Sequence, residues 1–332
     1  MKITLKKIAD DTGLSIATVS RALNRKKRRY TLNEEKIYSS ARKLGYPYIE
    51  SLDKNEKLTV ALVAEIHQEE FYSSLLYGFF SASKLSKINI VYINVGVDKS
   101  SIVNHIITLS KKYNGICLFL PNLEKEQYKQ IKEGVGEYAI LSLMPGKNNK
   151  IDTVSFDSYN GGYIVAKHFE DVGFTNFGII TGPKKAMDAT FRKNGFLDHI
   201  NESKNLKLVW SFEGDFTYES GERAFENFKE KGLKNIAIFG CNDHICFGFM
   251  KSAKENGYKI PDDFIISGYD NISFCKTITP ELTTVSTDFA ALALKALRII
   301  KSMINDKNDI IGQVSMIPVR MIIRRSTGVK QV

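Results

Sequence analysis

From Leu58 onward, short apolar runs alternate with amphipathic helical stretches, and this alternation constrains the fold more than any other feature of the chain. The runs Thr59 to Ile66, Asn89 to Val95, Gly115 to Leu120 and Tyr138 to Leu143 are rich in Val, Ile and Leu and read as buried strands. Strands covered on both faces belong to parallel sheets whose crossovers are helices, so the pattern predicts a doubly wound α/β sheet. A second set, at Phe177 to Thr181, Leu208 to Phe212, Asn235 to Phe239 and Phe264 to Ser267, predicts a second, similar lobe. A long helix from Asp288 to Met303 and a final strand region from Val314 to Ile323 are expected to carry the chain back between the lobes. The body is thus expected over 58–332, with the first lobe at about 58–158 and 289–310 and the second at about 159–288 and 311–332.

The first fifty residues have a different texture. Leu5, Ile8 and Ala9 share a helical face behind Thr4, a plausible N-cap, and Gly13 supplies a tight turn. Ser15 then caps a second helix, Ile16 to Leu23, that turns Val19 and Leu23 inward against Ile8 and Leu14. Two short helices across a glycine turn make a helix-turn-helix. A third helix begins at Thr31-Leu32-Asn33-Glu34, a capping-box sequence, runs through Ile37, Ala41 and Leu44, and stops at Gly45. An all-α headpiece is therefore expected over 1–46, followed by a linker over 47–57. On the second helix Ser15, Ile16, Ala17, Thr18, Ser20 and Arg21 stay on the outer side or at the exposed end, where a major-groove helix reads bases. An arginine fork suits guanine O6 and N7, whereas Ile16 and Ala17 suit a thymine methyl.

Charge agrees with that reading. The formal charge is +10. Residues 1–50 hold twelve Lys and Arg against five Asp and Glu, so +7 of it lies there. Arg25-Lys26-Lys27-Arg28-Arg29 follows the second helix directly, placed to meet phosphates. A small helical bundle with a solvated charged loop is the bland alternative. A chain of 332 residues suits two or three domains, and no apolar run approaches the length needed to cross a bilayer. The N-terminus lacks the apolar core of a secretory signal, so a cytoplasmic protein without membrane partners is expected. Cys117, Cys241, Cys246 and Cys275 show no ligand spacing and are expected as buried free thiols. His244 beside Cys246 has no further ligands at suitable spacing, so neither a metal nor a cofactor is expected.

Thr4-Leu5-Lys6-Lys7-Ile8-Ala9, Gly13-Leu14-Ser15 and Thr18-Val19-Ser20-Arg21-Ala22-Leu23-Asn24 resemble the headpiece of the lactose/galactose repressor family. The resemblance continues along the chain in Phe177-Gly178-Ile179-Ile180-Thr181-Gly182-Pro183, in Arg192 with Gly195-Phe196, in Asn242-Asp243, in Gly268-Tyr269-Asp270-Asn271, and from Thr279-Pro280 to Val285. It implies a two-lobed body of the periplasmic-binding-protein type and a regulator that binds double-stranded operator DNA under control of a small-molecule effector. In that family the two residues after the capping serine set much of the operator preference, which points to Ile16 and Ala17. Thr4, Asn24, Arg25, Lys26 and Lys27 complete the expected DNA-contacting set. The linker departs from the family pattern: it is shorter and more acidic, lacks the usual arginine-containing hinge helix, and offers Leu52 as its minor-groove wedge. No leucine heptads follow Arg324-Arg325, so a homodimer is expected.

Open α/β lobes bind ligands at the carboxyl ends of their strands, and two facing lobes make a cleft there. Asn160, Asn242 and Asp270 follow strand segments, and Arg192 lies on the helix after the Gly182-Pro183 loop. A carboxylate that accepts from vicinal hydroxyls and a guanidinium that donates to oxygens suit a polyol, so a sugar is the expected effector. A purine or nucleoside is the alternative. Phe71 and Phe216 are candidate apolar platforms. The resemblance assigns effector contacts to Asn160, Arg192, Asn242 and Asp270, and the platform to Phe216. Arg192 and Asp270 are expected at opposite parts of the cleft, although a structural ion pair between them fits the sequence too. Asn242-Asp243 equally fits a helix cap, and Phe71 equally fits core. An enzyme is not expected, because no GxGxxG, GxxxxGK, GxSxG or HExxH sequence is present. A solute receptor would share the body but would need a secretion signal and have no use for the headpiece.

Overall fold

The computed structural model describes residues 3–24, 31–46, 58–67, 69–96, 101–146, 150–305 and 312–328. It divides into two units, Met1–Leu58 and Thr59–Val332.

The first unit is helical: α1 (Leu5–Thr12), α2 (Ile16–Asn24) and α3 (Leu32–Leu44). Thr4 occupies the N-cap position of α1, but its side chain makes no capping hydrogen bond there. Gly13 ends α1 in the left-handed conformation, a turn only glycine makes without steric cost. Thr31 and Glu34 form the full capping box: the Glu34 amide donates to Thr31 Oγ1 at 3.3 Å, and the Thr31 amide donates to Glu34 Oε2 at 2.8 Å. Ile8, Val19, Ile37 and Ala41 close the core, and the Tyr38 hydroxyl donates to the Ala22 carbonyl at 3.0 Å.

The second unit contains two six-stranded sheets. The first lobe comprises β1 (Thr59–Ala64), α4 (Glu70–Ser86), β2 (Asn89–Asn94), α5 (Ile102–Ser110), β3 (Gly115–Phe119), α6 (Lys125–Val135), β4 (Ile140–Ser142) and β5 (Asp152–Phe156). The second comprises α7 (Ser158–Asp171), β6 (Asn176–Thr181), α8 (Met187–Glu202), β7 (Lys207–Glu213), α9 (Tyr218–Glu230), β8 (Ile236–Gly240), α10 (Asp243–Glu255), β9 (Phe264–Asp270) and β10 (Thr283–Ser286). The chain then forms α11 (Phe289–Asn305), β11 (Val314–Ile317) and β12 (Arg320–Ile322). Strand order is β11-β5-β4-β3-β1-β2 in one sheet and β12-β10-β9-β8-β6-β7 in the other. Every pairing is parallel except that of β12 with β10. Each sheet thus has its helices on both faces and a fully buried interior strand segment, Val60 to Ala64 in one and Ile236 to Gly240 in the other.

The C-terminal crossover differs from the expectation. The single strand region foreseen from Val314 to Ile323 is two strands, one in each sheet, separated by Pro318 and Val319. Residues 314–317 pair with β5, so the chain leaves the first lobe there and not near residue 310. Pro318 cannot donate a ladder hydrogen bond, which suits a strand break at the crossing.

In the second lobe α7 and α8 cross at glycines. A Cβ on Gly162 would collide with the Arg192 carbonyl, and one on Gly195 with the Tyr159 carbonyl. These reciprocal gaps bring α8 close to α7 and fix the level at which Arg192 stands.

Candidate functional site

On the headpiece, the Ser15 hydroxyl accepts from the Thr18 amide at 3.1 Å and lies 2.8 Å from Thr18 Oγ1, so both side chains hold the start of α2. Ile16, Ala17 and Arg21 are exposed, whereas Val19, Ala22 and Leu23 are buried. Ser20 is half-buried and Thr4 is exposed beside the start of α1. α2 therefore presents one open face carrying two short apolar side chains and one guanidinium. Asn24 is the last residue of α2. Arg25, Lys26, Lys27 and Leu52 lie outside the described residues.

In the body, Arg192 and Asp270 meet directly, both in the second lobe. Arg192 Nη2 lies 3.5 Å from Asp270 Oδ1 and 3.4 Å from Asp188 Oδ2. Its Nη1 donates to the Cys241 carbonyl at 2.5 Å, and its guanidinium stacks 3.7 Å from the Tyr269 ring centroid. Both residues are buried, at 4% and 9% exposure. The expectation that they face each other from opposite parts of a cleft is corrected: α8 and the end of β9 belong to one lobe, and the ion pair forms there. The pair is nevertheless not saturated. Arg192 Nε and Asp270 Oδ1 are buried without a hydrogen-bond partner, as is the Tyr269 hydroxyl oxygen. Burial pushes the Asp270 carboxyl well above its ordinary range, with Arg192 opposing. The Arg192 guanidinium is penalised by burial, but Asp270 and Asp188 hold it charged.

Backbone strain sits at the same point. Asp270 has φ of 111° and Asn271 φ of 56°, both unfavourable for side-chain-bearing residues. Asp243 holds this turn from beneath: Oδ2 accepts from the Ile272 amide at 3.0 Å and Oδ1 from the Thr284 hydroxyl at 2.6 Å. Arg324 braces it from the C-terminal side, donating to Asn271 Oδ1 at 2.6 Å and to the Leu282 carbonyl at 2.7 Å.

The other expected residues divide. Asn242 caps α10, accepting from the Ile245 amide at 3.0 Å, and donates to the Phe216 carbonyl at 2.8 Å. Its amide is thus engaged within the protein and supports the loop on which Phe216 sits with φ of 70°. The Phe216 ring lies 5.7 Å from the Arg192 guanidinium, which places an aromatic face beside the ion pair. Asn160 stands in the first turn of α7, where its backbone N–H donates to the Asp157 carboxylate at 3.1 Å. Phe71 packs edge-on against Phe289 at 5.0 Å and lies 5.7 Å from Phe119, a half-buried position within an aromatic cluster.

Residues not singled out by sequence complete the cleft from the first lobe. Tyr72 lies among Glu69, Glu65 and Asp188; burial first, then these carboxylates, push its phenol up. Glu65 is held by Asn122 Nδ2 at 3.1 Å and lies 3.6 Å from His67. Glu70 accepts from the Ser273 amide at 2.6 Å and so joins the two lobes. A separate cavity of about 240 Å³ opens beside α8, between Lys184, Thr190, Lys193 and Phe212; none of the expected effector residues lines it. Among the described residues no group of acidic, His or Cys side chains is arranged to hold a metal, and all four cysteines are buried and free.

Three comparisons bear on this geometry. The family model for a periplasmic binding protein-like domain matches residues 166–327. The HTH-type transcriptional repressor PurR of Mannheimia succiniciproducens is 26% identical over 330 residues, covering 97% of this chain and 98% of that protein. Catabolite control protein A of Priestia megaterium is 25% identical over 334 residues, covering 98% and 100%. Among solved structures, the lac repressor bound to ONPG in its repressed state superposes with a TM-score of 0.73 at 19% identity, covering 98% of this chain and all of that one. A complex of the transcriptional regulator CelR with cellobiose gives 0.71 at 19% identity and the same coverage. Both relatives and both structures span the headpiece as well as the body.

Proposed function

We propose, from repressor relatives that match it nearly end to end, that the chain is a member of the lactose/galactose repressor family and a sequence-specific repressor whose hold on operator DNA is set by a small-molecule effector, a sugar. The observation that carries this reading is the union in one chain of two parts. One is a capped helix-turn-helix with an open α2 face; the other is a two-lobed body with a buried, incompletely paired Arg192–Asp270 centre. The headpiece supplies major-groove contacts through Ile16, Ala17 and Arg21, and the basic run that follows supplies phosphate contacts. Phe216 offers a sugar its apolar face, and Asn160, Arg192 and Asp270 address its hydroxyls. Effector binding changes the arrangement of the lobes and thereby the affinity of the paired headpieces for DNA. Reciprocal couplings of this kind amount to roughly 1–3 kcal/mol.

The protein acts as a homodimer, because two headpieces on a near-palindromic operator need two-fold symmetry. An exposed apolar strip on α4 supports this. Tyr77, Phe80 and Leu85 are 69%, 47% and 75% exposed, spaced to share one side of the helix, and Lys84 lies over the Phe80 ring at 4.1 Å. Such a strip on an isolated chain marks a surface covered in the assembly. The relatives, DNA-binding repressors, support reading it as a cytoplasmic regulator rather than an enzyme. Among the described residues no helix is long and apolar enough to cross a membrane.

Selection from randomised duplex DNA with the full-length protein tests the reading. The expected product is one near-palindromic site, whose binding is altered by a sugar in a subsequent titration panel. Recovery of no preferred sequence would overturn it.

A further inference from the structure

The effector reading leaves the chemical class of the ligand open, and the charges of the cleft narrow it, on the premise that this cleft is the sensor. Arg192 is matched twice, by Asp188 and by Asp270, so this side of the cleft has no surplus positive charge. The first lobe adds Glu65, just after β1, and Glu69, just before α4. These carboxylates converge: Glu65, Glu69 and Asp188 all act on the Tyr72 phenol, and Glu69 also acts on Asp270 from the facing lobe. Asp188 and Asp270 therefore flank the guanidinium while Glu65 and Glu69 add negative charge from the facing lobe, and even with Asp270 protonated the balance stays negative. Lys184, which could offset it, is paired with Glu213 at 2.6 Å and lines the separate cavity beside α8 together with Lys193.

The unpaired atoms point the same way. Arg192 Nε is a buried donor without an acceptor, and Asp270 Oδ1, the atom ion-paired to Arg192 Nη2 at 3.5 Å, accepts no hydrogen bond. One hydroxyl satisfies both kinds of group, since its oxygen accepts while its proton is donated. A phosphate dianion, the main form above about pH 6, only accepts. It would answer Nε but give Oδ1 no hydrogen bond and set a second anion against the ion-paired carboxylate in a site where screening is weak.

We propose that the cleft selects by charge: it takes an unphosphorylated saccharide, neutral or amine-bearing, and rejects phosphorylated sugars and nucleotides. Glu65, Glu69 and Asp188 form the excluding field, and the Arg192–Asp270 pair reads a hydroxyl.

Calorimetry with the full-length protein decides this. The probes are a panel of neutral mono- and disaccharides that includes glucose, ribose and cellobiose, with glucosamine, glucose 6-phosphate, ribose 5-phosphate, hypoxanthine and AMP. The expected result is binding of at least one neutral or amine-bearing sugar, with any phosphorylated counterpart weaker by about a hundredfold. The Glu69→Gln variant is expected to narrow that gap by about fivefold or more, because it removes one charge of the field and keeps the shape. A phosphosugar that binds as tightly as its parent, or AMP binding in place of any sugar, would overturn the charge rule while leaving the sensor reading intact, and hypoxanthine binding in place of any sugar would overturn the saccharide assignment. Silence across the whole panel would overturn both. An unchanged gap in Glu69→Gln, with Asp188→Asn equally without effect, would show that these carboxylates do not set the selectivity.

Discussion

Arg192 Nη2 stands 3.5 Å from Asp270 Oδ1, joining α8 to the strained end of β9 inside one lobe, with the Tyr269 ring stacked beneath the guanidinium. Because both partners are buried, removing either leaves a charge without its match, and breaking such a pair costs about 3–5 kcal/mol. Truncation to alanine would therefore confound binding with stability. Asp270→Asn keeps the shape and an acceptor oxygen, while Asp188 still faces the Arg192 charge. We expect it to weaken effector affinity by about ten- to a hundredfold, the worth of a charge-assisted hydrogen bond, while operator affinity without effector changes little. If the effector releases DNA, this variant stays bound at effector levels that free the parent protein. If the effector promotes DNA binding, the variant fails to tighten. Paired calorimetry and operator titration check both, and unchanged effector affinity would make the pair structural.

Asp243 gives a pH-dependent prediction. Burial raises its carboxyl from 3.8 to about 6, against the hydrogen bonds from Thr284 and Ile272 that favour ionisation. The folded state then binds the proton more tightly than the unfolded chain does. The stabilisation is present below about pH 4 and is lost as pH rises through about 6. Denaturant midpoints measured from pH 4 to 7 are expected to fall across that window. Asp243→Asn should reduce the fall, leaving the part due to Asp270, whose carboxyl is also raised. Parallel profiles for variant and parent would refute this assignment.

Much of the fold and part of the site were legible in sequence, wherever the signal is local. The headpiece was, because capping residues, Gly13 and the spacing of Ile8, Val19 and Ile37 specify three helices without reference to the rest of the chain. The interior strands were too, since burial on both faces leaves a continuous apolar run. What escaped was non-local. Nothing local reveals that β11 and β12 enter different sheets, because that depends on which edge each one finds. Likewise Arg192 and Asp270 were legible as candidate residues, but their contact follows from how closely α8 packs at Gly162 and Gly195. Tyr72, Glu65 and Glu69 lie in a polar stretch after β1 that reads as an ordinary loop and helix start until the facing lobe brings Asp188 beside them.

That packing makes Gly162 a remote determinant of the site. A methyl group there meets the Arg192 backbone carbonyl, which cannot rotate away as a side chain can. Gly162→Ala is expected to destabilise the body by about 1–3 kcal/mol, the usual range for overpacking. Displacing α8 should also weaken effector binding although Gly162 contacts no ligand. Thermal unfolding combined with effector calorimetry reads both effects, and full retention of stability would contradict the close crossing.

In the headpiece the test is confined to one cap. Thr31→Ala removes the oxygen that accepts from the Glu34 amide, and the reciprocal bond from the Thr31 amide to Glu34 loses its orienting partner. A loss of about 1 kcal/mol in headpiece stability is expected. Because α3 carries Ile37 and Ala41 into the core against Val19, operator affinity should fall with temperature sooner than in the parent, with sequence preference unchanged. Arg21→Ala should do the reverse, sparing stability and relaxing preference at one base position by about 1–3 kcal/mol. Equal effects of the two changes on base preference would separate α2 from DNA reading.

The last prediction concerns assembly. Tyr77, Phe80 and Leu85 expose more apolar surface on α4 than a solitary helix face keeps in water at no cost, whereas Leu75 and Phe79 of the same helix are fully buried in the first lobe. Tyr92 of edge strand β2 donates to the Leu76 carbonyl and extends the strip. If this side meets a second copy, Phe80→Asp places a charge at the centre of the contact, where desolvation without a partner is costly. Sedimentation should then show monomers at concentrations where the parent is dimeric. The monomer should remain folded, because Phe80 packs on the outside of its own lobe. Operator affinity should fall steeply while binding to a half-site changes little, since two-fold recognition needs both headpieces on one particle. A variant that remains dimeric and retains full operator affinity would place the interface on another face of the molecule.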